Sequence, residues 1–528
     1  MIKNILTTKK RKSRFPLRKR QKGLQYIKEV CCTLPEILER YAAEIPNKTA
    51  IIYHHKKINY HGYNTLANSL ANELLNIGVK RGDRIGLMLP RIPELVISFM
   101  GIAKAGAIVA PINYELTEEG IRAIFKNIMP ACLIVHSTHI EQAIRALPQN
   151  TDIPIILVGE YTGCGIPWND IINGGKTDNP NLDIQTHEVV YLNYTSGSTG
   201  NSKGAETTHS NIYWNTIAAI DILGLKSDDI HLCMFAPFAH PHEIFARSLF
   251  LGGTITLVEK IYPKSIANAI SSCKVTCMMG LAPLYENLLD VLEHGMFDVS
   301  SLRIPESGGM YTRTNLIEKF KQKTGVPIIP VWGSTETTGI AIANRPGDDI
   351  PKRSIGKPCP TYEIKIVDEN NNELTHGEIG EMIFKGPAVV QNYYGNAGNT
   401  CSQDGWYHSG DLGMKDENGY FYFIERKSGM MKVAGLKVYP QEIERVLLEH
   451  PSIKEIAVIS VKDRLRGEIP KAVAVLQPGE NVKEHEILNF CKDRLPHYKL
   501  PRIIEIRKDI PKSGSGKINK NSLILEHV

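Results

Sequence analysis

The amino-acid sequence predicts an α/β fold in which a large N-terminal domain of helix-covered, mainly parallel sheets with an antiparallel β subdomain precedes a small C-terminal α+β domain. Three observations carry that reading. From Leu34 onward, helical stripes alternate with short apolar runs, the pattern of strands joined by helices across a parallel sheet. Near residue 355 the pattern changes to short strand-like runs separated by turn residues. The block Lys432 to Val528 then mixes strands and helices over roughly 95 residues, a size suited to a separate domain.

Taken in order, Tyr60 to Gly78 sets Leu66, Leu70, Leu74 and Ile77 on one helical face and stops at a glycine. Arg84 to Leu89 and Ala107 to Pro111 are strand candidates. The most apolar stretch, Leu95 to Ile112, is broken by Gly101, Lys104 and Gly106, and reads as a buried helix running into a buried strand. Val189 to Tyr194 is another strand, followed after a loop by a helix that carries Ile212, Thr216, Ile220 and Leu223. Thr254 to Val258, Val275 to Met279 and Val326 to Val331 extend the parallel series. Antiparallel strands follow at Glu363 to Val367, Glu381 to Lys385 and Tyr420 to Ile424, with turns at Asn370-Asn371-Asn372 and Asn418-Gly419. The final block places strands at Ile456 to Val461, Lys471 to Leu476 and Ile503 to Arg507, and helices at Pro440 to Glu449 and His485 to Arg494. The charged stretch Glu425 to Gly429 is the hinge candidate, which divides the chain into an N-terminal domain over 23–427 and a mobile C-terminal domain over 428–528.

Composition narrows the function classes. With 42% hydrophobic and 22% charged residues among 528, the chain has the make-up of an ordinary globular protein. No segment reaches the roughly 18 apolar residues of a membrane span. The ten cysteines contain no C-x-x-C pair, so neither a disulfide framework nor a zinc site is expected, and reduced, buried thiols in a cytoplasmic setting are. Residues 1–22 hold ten Lys or Arg and no acid; subtracting those charges from the formal +6 leaves the rest near −4. This basic arm reads as a disordered, solvated tail. An anionic surface is its alternative use, and nucleic acid is not an expected partner.

Several segments carry chemistry. Tyr194 to Gly204 contains Thr195, Ser196, Gly197, Ser198, Thr199, Gly200 and Lys203. Glycines let the backbone approach a ligand, and hydroxyls with one lysine suit phosphate oxygens. Placed after a strand and before a helix, such a loop has the usual anion-binding context. It is not a Walker A loop, because Lys203 is followed by Gly204. Ser307-Gly308-Gly309 and Trp332-Gly333-Ser334-Thr335-Glu336 follow later strands, where open α/β sheets bind ligands. The second of these unites an aromatic, a glycine, hydroxyls and a carboxylate, a set able to serve a base, a phosphate and a metal ion. Trp406 to Asp411 offers another carboxylate, Arg426 follows the next strand, and Pro511 to Ile518 presents Lys517 just after Gly514 and Gly516.

In this order the blocks resemble the adenylate-forming (AMP-binding) superfamily of acyl-CoA synthetases, luciferases and peptide-synthetase adenylation domains, from about Leu34 to Ile518. Gly82-Asp83-Arg84, Lys104 to Ala107, Ser354 to Pro358 and Gly435 to Glu444 agree with it. The resemblance implies a phosphate loop at Thr195 to Lys203, with Gly308, Gly309 and Met310 lining the adenine. Trp332 stands where the family usually has a tyrosine against that base, in a nucleotide-binding segment that includes Gly333 and Ser334. Thr335 would bond the α-phosphate, Glu336 would hold Mg²⁺, and Asp411 and Arg426 would grip the ribose. Lys517 would bridge the substrate carboxylate and α-phosphate, and His240 would lie near the acyl carboxylate. Two departures stand out: Ser202 replaces the proline usual before the loop lysine, and Ser428 takes the acidic or lysine hinge position.

The implied activity is ATP-dependent activation of a carboxylic acid, followed by thioester formation with coenzyme A. Gly435 to Glu444 resembles stand-alone acyl-CoA synthetases. Loading of a separate acyl carrier protein is the alternative within the fold, and a catalytically inactive nucleotide-binding or scaffold protein with a basic arm is the alternative outside it. Phe238, Ala239, Met310 and Ile340 point to an apolar acid, fatty or aromatic.

Overall fold

Apolar runs bounded by turn residues become strands, and in the computed structural model these assemble into two largely parallel sheets, one of seven strands and one of nine. The structure describes residues 31–148, 152–161, 163–194, 203–295, 297–395, 398–434, 436–512 and 518–525. The basic arm, loop residues 195–202 and Lys517 lie outside them.

In the seven-stranded sheet, Arg84–Met88 pairs in parallel with Ile108–Pro111 and with Cys132–His136, and Val189–Tyr194 lies beside Ile108–Pro111. In the nine-stranded sheet, Ile230–Cys233, Thr254–Leu257, Cys277–Gly280, Ile304–Ser307 and Ile329–Ser334 run parallel, and Gly339–Ala343 turns back against the last of them. Helix Pro93–Lys104 is buried at every position except Glu94, and helix Pro241–Leu251 at every position. The first is mostly apolar on every side, as an interior helix is, and the second buries its charged Glu243 and Arg247 as a pair. The two meet through Phe99 and Phe245, whose rings pack edge-on 5.0 Å apart. Lys104, which interrupts the apolar run, is buried against Glu39. That pairing lets a charge sit inside the core.

Glu363–Val367, Gly380–Lys385, Tyr407–Lys415 and Phe421–Arg426 form a four-stranded antiparallel sheet. Its first turn is set by Asp368, whose carboxylate accepts the backbone N–H groups of Asn370 and Asn372 at 2.8 Å each, while Asn371 adopts φ 65°. The C-terminal segment builds a separate five-stranded sheet with its own core of Ile443, Leu447, Val458, Ala472 and Ile487. Between the two lies a single 3₁₀ turn, Lys427–Gly429. Glu425, buried just before it, accepts the Gln441 backbone N–H at 2.8 Å, and Arg313 donates to the Lys454 carbonyl at 2.8 Å, so both sides of the turn are tied across it.

Three expectations change. Gly204–Thr208 is a strand antiparallel to Val189–Tyr194, with Tyr194 opposite Gly204. Val189–Tyr194 is therefore followed in the chain by an antiparallel strand instead of directly by a helix, and helix His209–Leu223 begins one strand later. The last parallel strand spans Ile329–Ser334 instead of Val326 to Val331, which brings Trp332 and Gly333 into the sheet. All ten cysteines are free thiols, but only five are buried. Among the described residues, no helix is long and apolar enough to cross a membrane.

Candidate active site

Parallel strands end on one side of a sheet, and the loops that follow them gather there. The register sets Gly280 beside Ser307, and Ser307 beside Pro330. Gly308, Gly309 and Met310 therefore leave the sheet next to the Trp332–Glu336 segment. Gly308 is packed so closely that a Cβ would meet Val331 Cγ2 at 2.9 Å, and Gly309 takes φ 75°, so neither place suits a larger residue. Met310 is half-buried against the core beneath.

After the strand, Ser334 and Thr337 close a tight turn through the bonds Ser334 N to Thr337 Oγ1 at 2.9 Å and Thr337 N to Ser334 Oγ at 3.2 Å. Thr335 and Glu336 sit on this turn. Gly333 permits the return strand to cross closely, because a Cβ there would run into the Gly339 carbonyl and reach Ile340 Cα at 3.0 Å. Gly333→Ala is expected to cost about 1–3 kcal/mol by overpacking, visible as a lower melting temperature with a parallel loss of ATP affinity.

Trp332 reaches the antiparallel sheet. Its ring stacks on Phe384 with centroids 4.4 Å apart, and Nε1 donates to Asp411 Oδ2 at 3.0 Å. Asp411 lies opposite Arg426 in the register, and Arg426 Nε meets Asp411 Oδ1 at 2.6 Å. Arg426 also donates to the Ser409 carbonyl at 3.2 Å. A buried carboxylate held by a cation and a neutral donor is a fixed acceptor for hydroxyls.

Glu336 is buried and accepts the Tyr393 hydroxyl at 2.6 Å. Burial first, then the nearby Glu336 charge, pushes the Tyr407 phenol well above its ordinary range. Burial, with Glu336 second, pushes the Tyr393 phenol well above its ordinary range, so it stays a donor. Lys203 lies over the Tyr393 ring, 5.1 Å from its centre. The backbone repeats this link: Tyr394 N donates to the Gly204 carbonyl at 2.7 Å, and Val390 N to the Glu336 carbonyl at 2.8 Å. Segment 390–394 thus joins the strand after the glycine-rich loop to the turn that bears Glu336.

His240 caps helix Pro241–Leu251 and shares a 3.1 Å hydrogen bond with Asn193, which precedes the glycine-rich loop. His242 pairs with the Tyr191 hydroxyl at 2.8 Å, and burial lowers its pKa to about 3, so it remains neutral. Of the four apolar residues proposed for the acid, Phe238, Ala239 and Met310 are partly accessible, whereas Ile340 is buried with Trp332 in the core.

The structure thus brings Trp332, Gly333, Ser334, Thr335, Glu336, Asp411, Arg426 and Lys203 into one linked group. His240 stands at the end of the strand leading to the loop. Thr195, Ser196, Gly197, Ser198, Thr199, Gly200 and Lys517 lie outside the described residues. Sequence reasoning missed Tyr393, Phe384 and Asn193, since none stands in a patterned motif. The arrangement offers a fixed carboxylate for hydroxyls, and a second carboxylate beside a lysine that suits phosphate with a cation.

Residues 38–394 match the AMP-binding enzyme family, and residues 442–517 match the AMP-binding enzyme C-terminal domain. The chain is 32% identical to a long-chain-fatty-acid–CoA ligase of Bacillus subtilis, over 94% of each chain. It is 30% identical to a crotonobetaine/carnitine–CoA ligase of Salmonella paratyphi B, over 93% of this chain and 98% of the other. Among solved structures, the anthranilate CoA ligase AuaEII in complex with anthranoyl-AMP superposes with a TM-score of 0.88 at 29% identity, covering 95% of this chain and 98% of that one. The o-succinylbenzoate CoA synthetase of Bacillus subtilis, bound to its acyl-adenylate, gives 0.82 at 25% identity, covering 93% and 98%.

Proposed function

The chain belongs to the AMP-binding enzyme family, and on that premise we propose that it uses ATP to convert a carboxylic acid to its acyl-adenylate and then passes the acyl group to coenzyme A. The observation that carries the reading is the linkage of two buried carboxylates, Asp411 and Glu336, to Trp332, Arg426, Tyr393 and Lys203 within one site.

In this reading Asp411 and Arg426 hold the ribose, and Gly308, Gly309, Met310 and Trp332 form the wall for the base. Gly333 and Ser334 complete that wall and set the turn. Thr335 donates to the α-phosphate. Lys203 and the loop residues Thr195, Ser196, Gly197, Ser198, Thr199 and Gly200 donate to the triphosphate and to departing pyrophosphate. His240, held by Asn193, borders the acyl carboxylate, and Lys517 bridges that carboxylate to the α-phosphate. A carboxylate is a weak nucleophile, so orientation against the phosphorus supplies much of the rate.

Glu336 suits Mg²⁺, which takes oxygen ligands and needs only one or two protein carboxylates beside phosphates. When bound there, Mg²⁺ would neutralise charge developing on the phosphates. The Tyr393 hydroxyl keeps the carboxylate oriented, and Lys203 adds a second positive charge nearby.

The N-terminal domain spans 23–427, and the C-terminal domain, 428–528, rotates about the turn at Ser428. Rotation removes Lys517 after adenylation and admits the thiol, so that one site serves two steps. The relatives named above are CoA ligases, which favours coenzyme A over a carrier protein. The free thiols fit a reducing, cytoplasmic setting. Phe238, Ala239 and Met310 favour a fatty or aromatic acid.

The test is exchange of labelled pyrophosphate into ATP, run with acids of graded chain length and aromaticity and repeated with coenzyme A. Acid-dependent exchange and a CoA thioester are expected. Failure of exchange with every acid would refute the adenylation reading; exchange without thioester would point to a carrier protein.

A further inference from the structure

No cysteine pair has C-x-x-C spacing, yet the fold gathers a set of metal-ligand types from segments far apart in the chain. Asp229, His231 and Cys277 each present one donor atom: a carboxylate oxygen, a ring nitrogen and a thiol sulfur. These three atoms lie within 4.8 Å of one another. Parallel pairing produces the group, because His231 stands opposite Cys277 in the register of Ile230–Cys233 and Cys277–Gly280. Asp229 immediately precedes the first of these strands. The donors therefore sit where the strands enter the nine-stranded sheet, whereas the candidate active site lies where its strands leave it.

All three residues are at most 6% exposed. Among the described residues His231 Nε2 is buried without a hydrogen-bond partner, which costs stability unless a ligand satisfies it. Asp229 is already oriented: Thr276 Oγ1 donates to Oδ1 at 2.8 Å, and the Lys226 backbone N–H and Arg303 reach Oδ2. Metal-binding carboxylates are commonly held by such outer partners. Thr276 Oγ1 is also 3.6 Å from Cys277 Sγ, so a neutral oxygen borders the group. Two guanidinium groups lie nearby, but Arg247 is offset by Glu243 and Glu306, and Arg303 by Asp229. Loss of the thiol proton on binding would add the negative charge that a divalent cation needs.

We propose that Asp229, His231 and Cys277 form a binding site for Zn²⁺ or a divalent cation of similar softness, which clips two neighbouring strands together at the end of the sheet away from the nucleotide. Sulfur, nitrogen and oxygen in one set suit Zn²⁺, whereas Mg²⁺ and Ca²⁺ call for oxygen ligands. On binding, the cation takes the Cys277 sulfur as thiolate, and the thiol proton passes to solvent. Residues 226–228, exposed just ahead of Asp229, give the ion its way in.

The test uses the full chain, stripped of metal by a chelator and dialysed to equilibrium against Zn²⁺, alongside Cys277→Ser and His231→Gln. The wild-type chain is expected to retain one equivalent of Zn²⁺ and to melt at a higher temperature with it, because the ion binds the folded state. Each substitution should weaken binding by at least about tenfold, since loss of even an outer partner of a ligand costs about 10- to 100-fold. Co²⁺ in place of Zn²⁺ should give a thiolate-to-metal absorption band that Cys277→Ser abolishes. Melting curves without metal show whether each variant folds, and Cys277→Ala carries the same expectation if Cys277→Ser does not. A wild-type chain that retains no Zn²⁺ overturns the inference. A folded variant that keeps the wild-type affinity also overturns it, because other side chains then hold the ion. Zinc is read directly here, so the result stands apart from whether the chain exchanges pyrophosphate with any acid.

Discussion

Glu336→Gln is expected to lower acid-dependent pyrophosphate exchange by about 10²- to 10³-fold, the usual loss when one preorganised charge-stabilising group is removed from a site. The substitution keeps the shape of the side chain. The Tyr393 hydroxyl, 2.6 Å from Glu336 Oε1, can donate to the glutamine carbonyl just as it does to the carboxylate. The turn closed by Ser334 and Thr337 uses their own hydroxyls and backbone, and does not involve the Glu336 side chain. Folding should therefore be nearly unaffected, and a melting curve should show this. What changes is the negative charge beside Lys203 and Tyr393. Binding of ATP titrated with Mg²⁺ gives a readout apart from turnover: the variant should need a higher Mg²⁺ concentration for the same ATP affinity. An unchanged Mg²⁺ requirement would count against Glu336 as the metal carboxylate.

The parts of the fold that were legible in the sequence share one physical property, a local signal. Val189–Tyr194, Glu363–Val367 and Ile503–Arg507 fall on the residues predicted for them, because each is a short run bounded by turn or charged residues. Gly204–Thr208 has no apolar alternation and was passed over. It is a strand because Val189–Tyr194 pairs with it and because residues 392–394 close on its other side. Thr49–Tyr53 was missed for a related reason, since its parallel partner Thr254–Leu257 lies some two hundred positions away in the chain. The site divides in the same manner. Trp332, Glu336, Asp411 and Arg426 stand in ordered motifs, so they could be singled out, and the structure places them in one group. That Trp332 donates to Asp411, or that Tyr393 holds Glu336, depends on sheet-to-sheet packing between segments 79 and 57 positions apart. No local pattern encodes that. A strand placed three residues early, at Val326 to Val331, likewise hid that Trp332 belongs to the sheet.

Arg247→Met is expected to destabilise the N-terminal domain by about 3–5 kcal/mol, the cost of stranding a buried charge partner. Arg247 lies under the site, where Nη1 meets both carboxylate oxygens of Glu306 at 2.7 Å and Nη2 meets Glu243 at 3.1 Å. All three side chains are at most 4% exposed. Burial by itself would lower the guanidinium pKa, but Glu243 and Glu306 outweigh it and raise it. Burial raises Glu306 above the ordinary carboxylate range even with Arg247 present. Without the arginine it must rise further. A carboxyl with a folded pKa above its unfolded value supports the fold most at low pH and loses that support as pH rises through the folded value. The deficit of Arg247→Met should therefore be smaller near pH 5 and larger near pH 8, measured as the shift of the unfolding midpoint across that range. Combining Arg247→Met with Glu243→Gln and Glu306→Gln should recover much of the loss and flatten the pH dependence, since no buried charge then lacks a partner. The consequence reaches the site through the backbone. Glu306 immediately precedes Ser307, Gly308 and Gly309, and its carbonyl accepts the Tyr285 hydroxyl at 2.6 Å. A Cβ at Gly339 would meet Glu243 Oε1 at 2.5 Å. The ion triad is thus joined through Glu306 to the segment that leads to Gly308 and Gly309, and through Glu243 it packs against the strand that returns past Gly333. Loosening it should weaken ATP binding at every pH at which the variant is folded, and most where Glu306 is ionised. Equal stability at pH 5 and pH 8 would show that the two carboxylates find other partners.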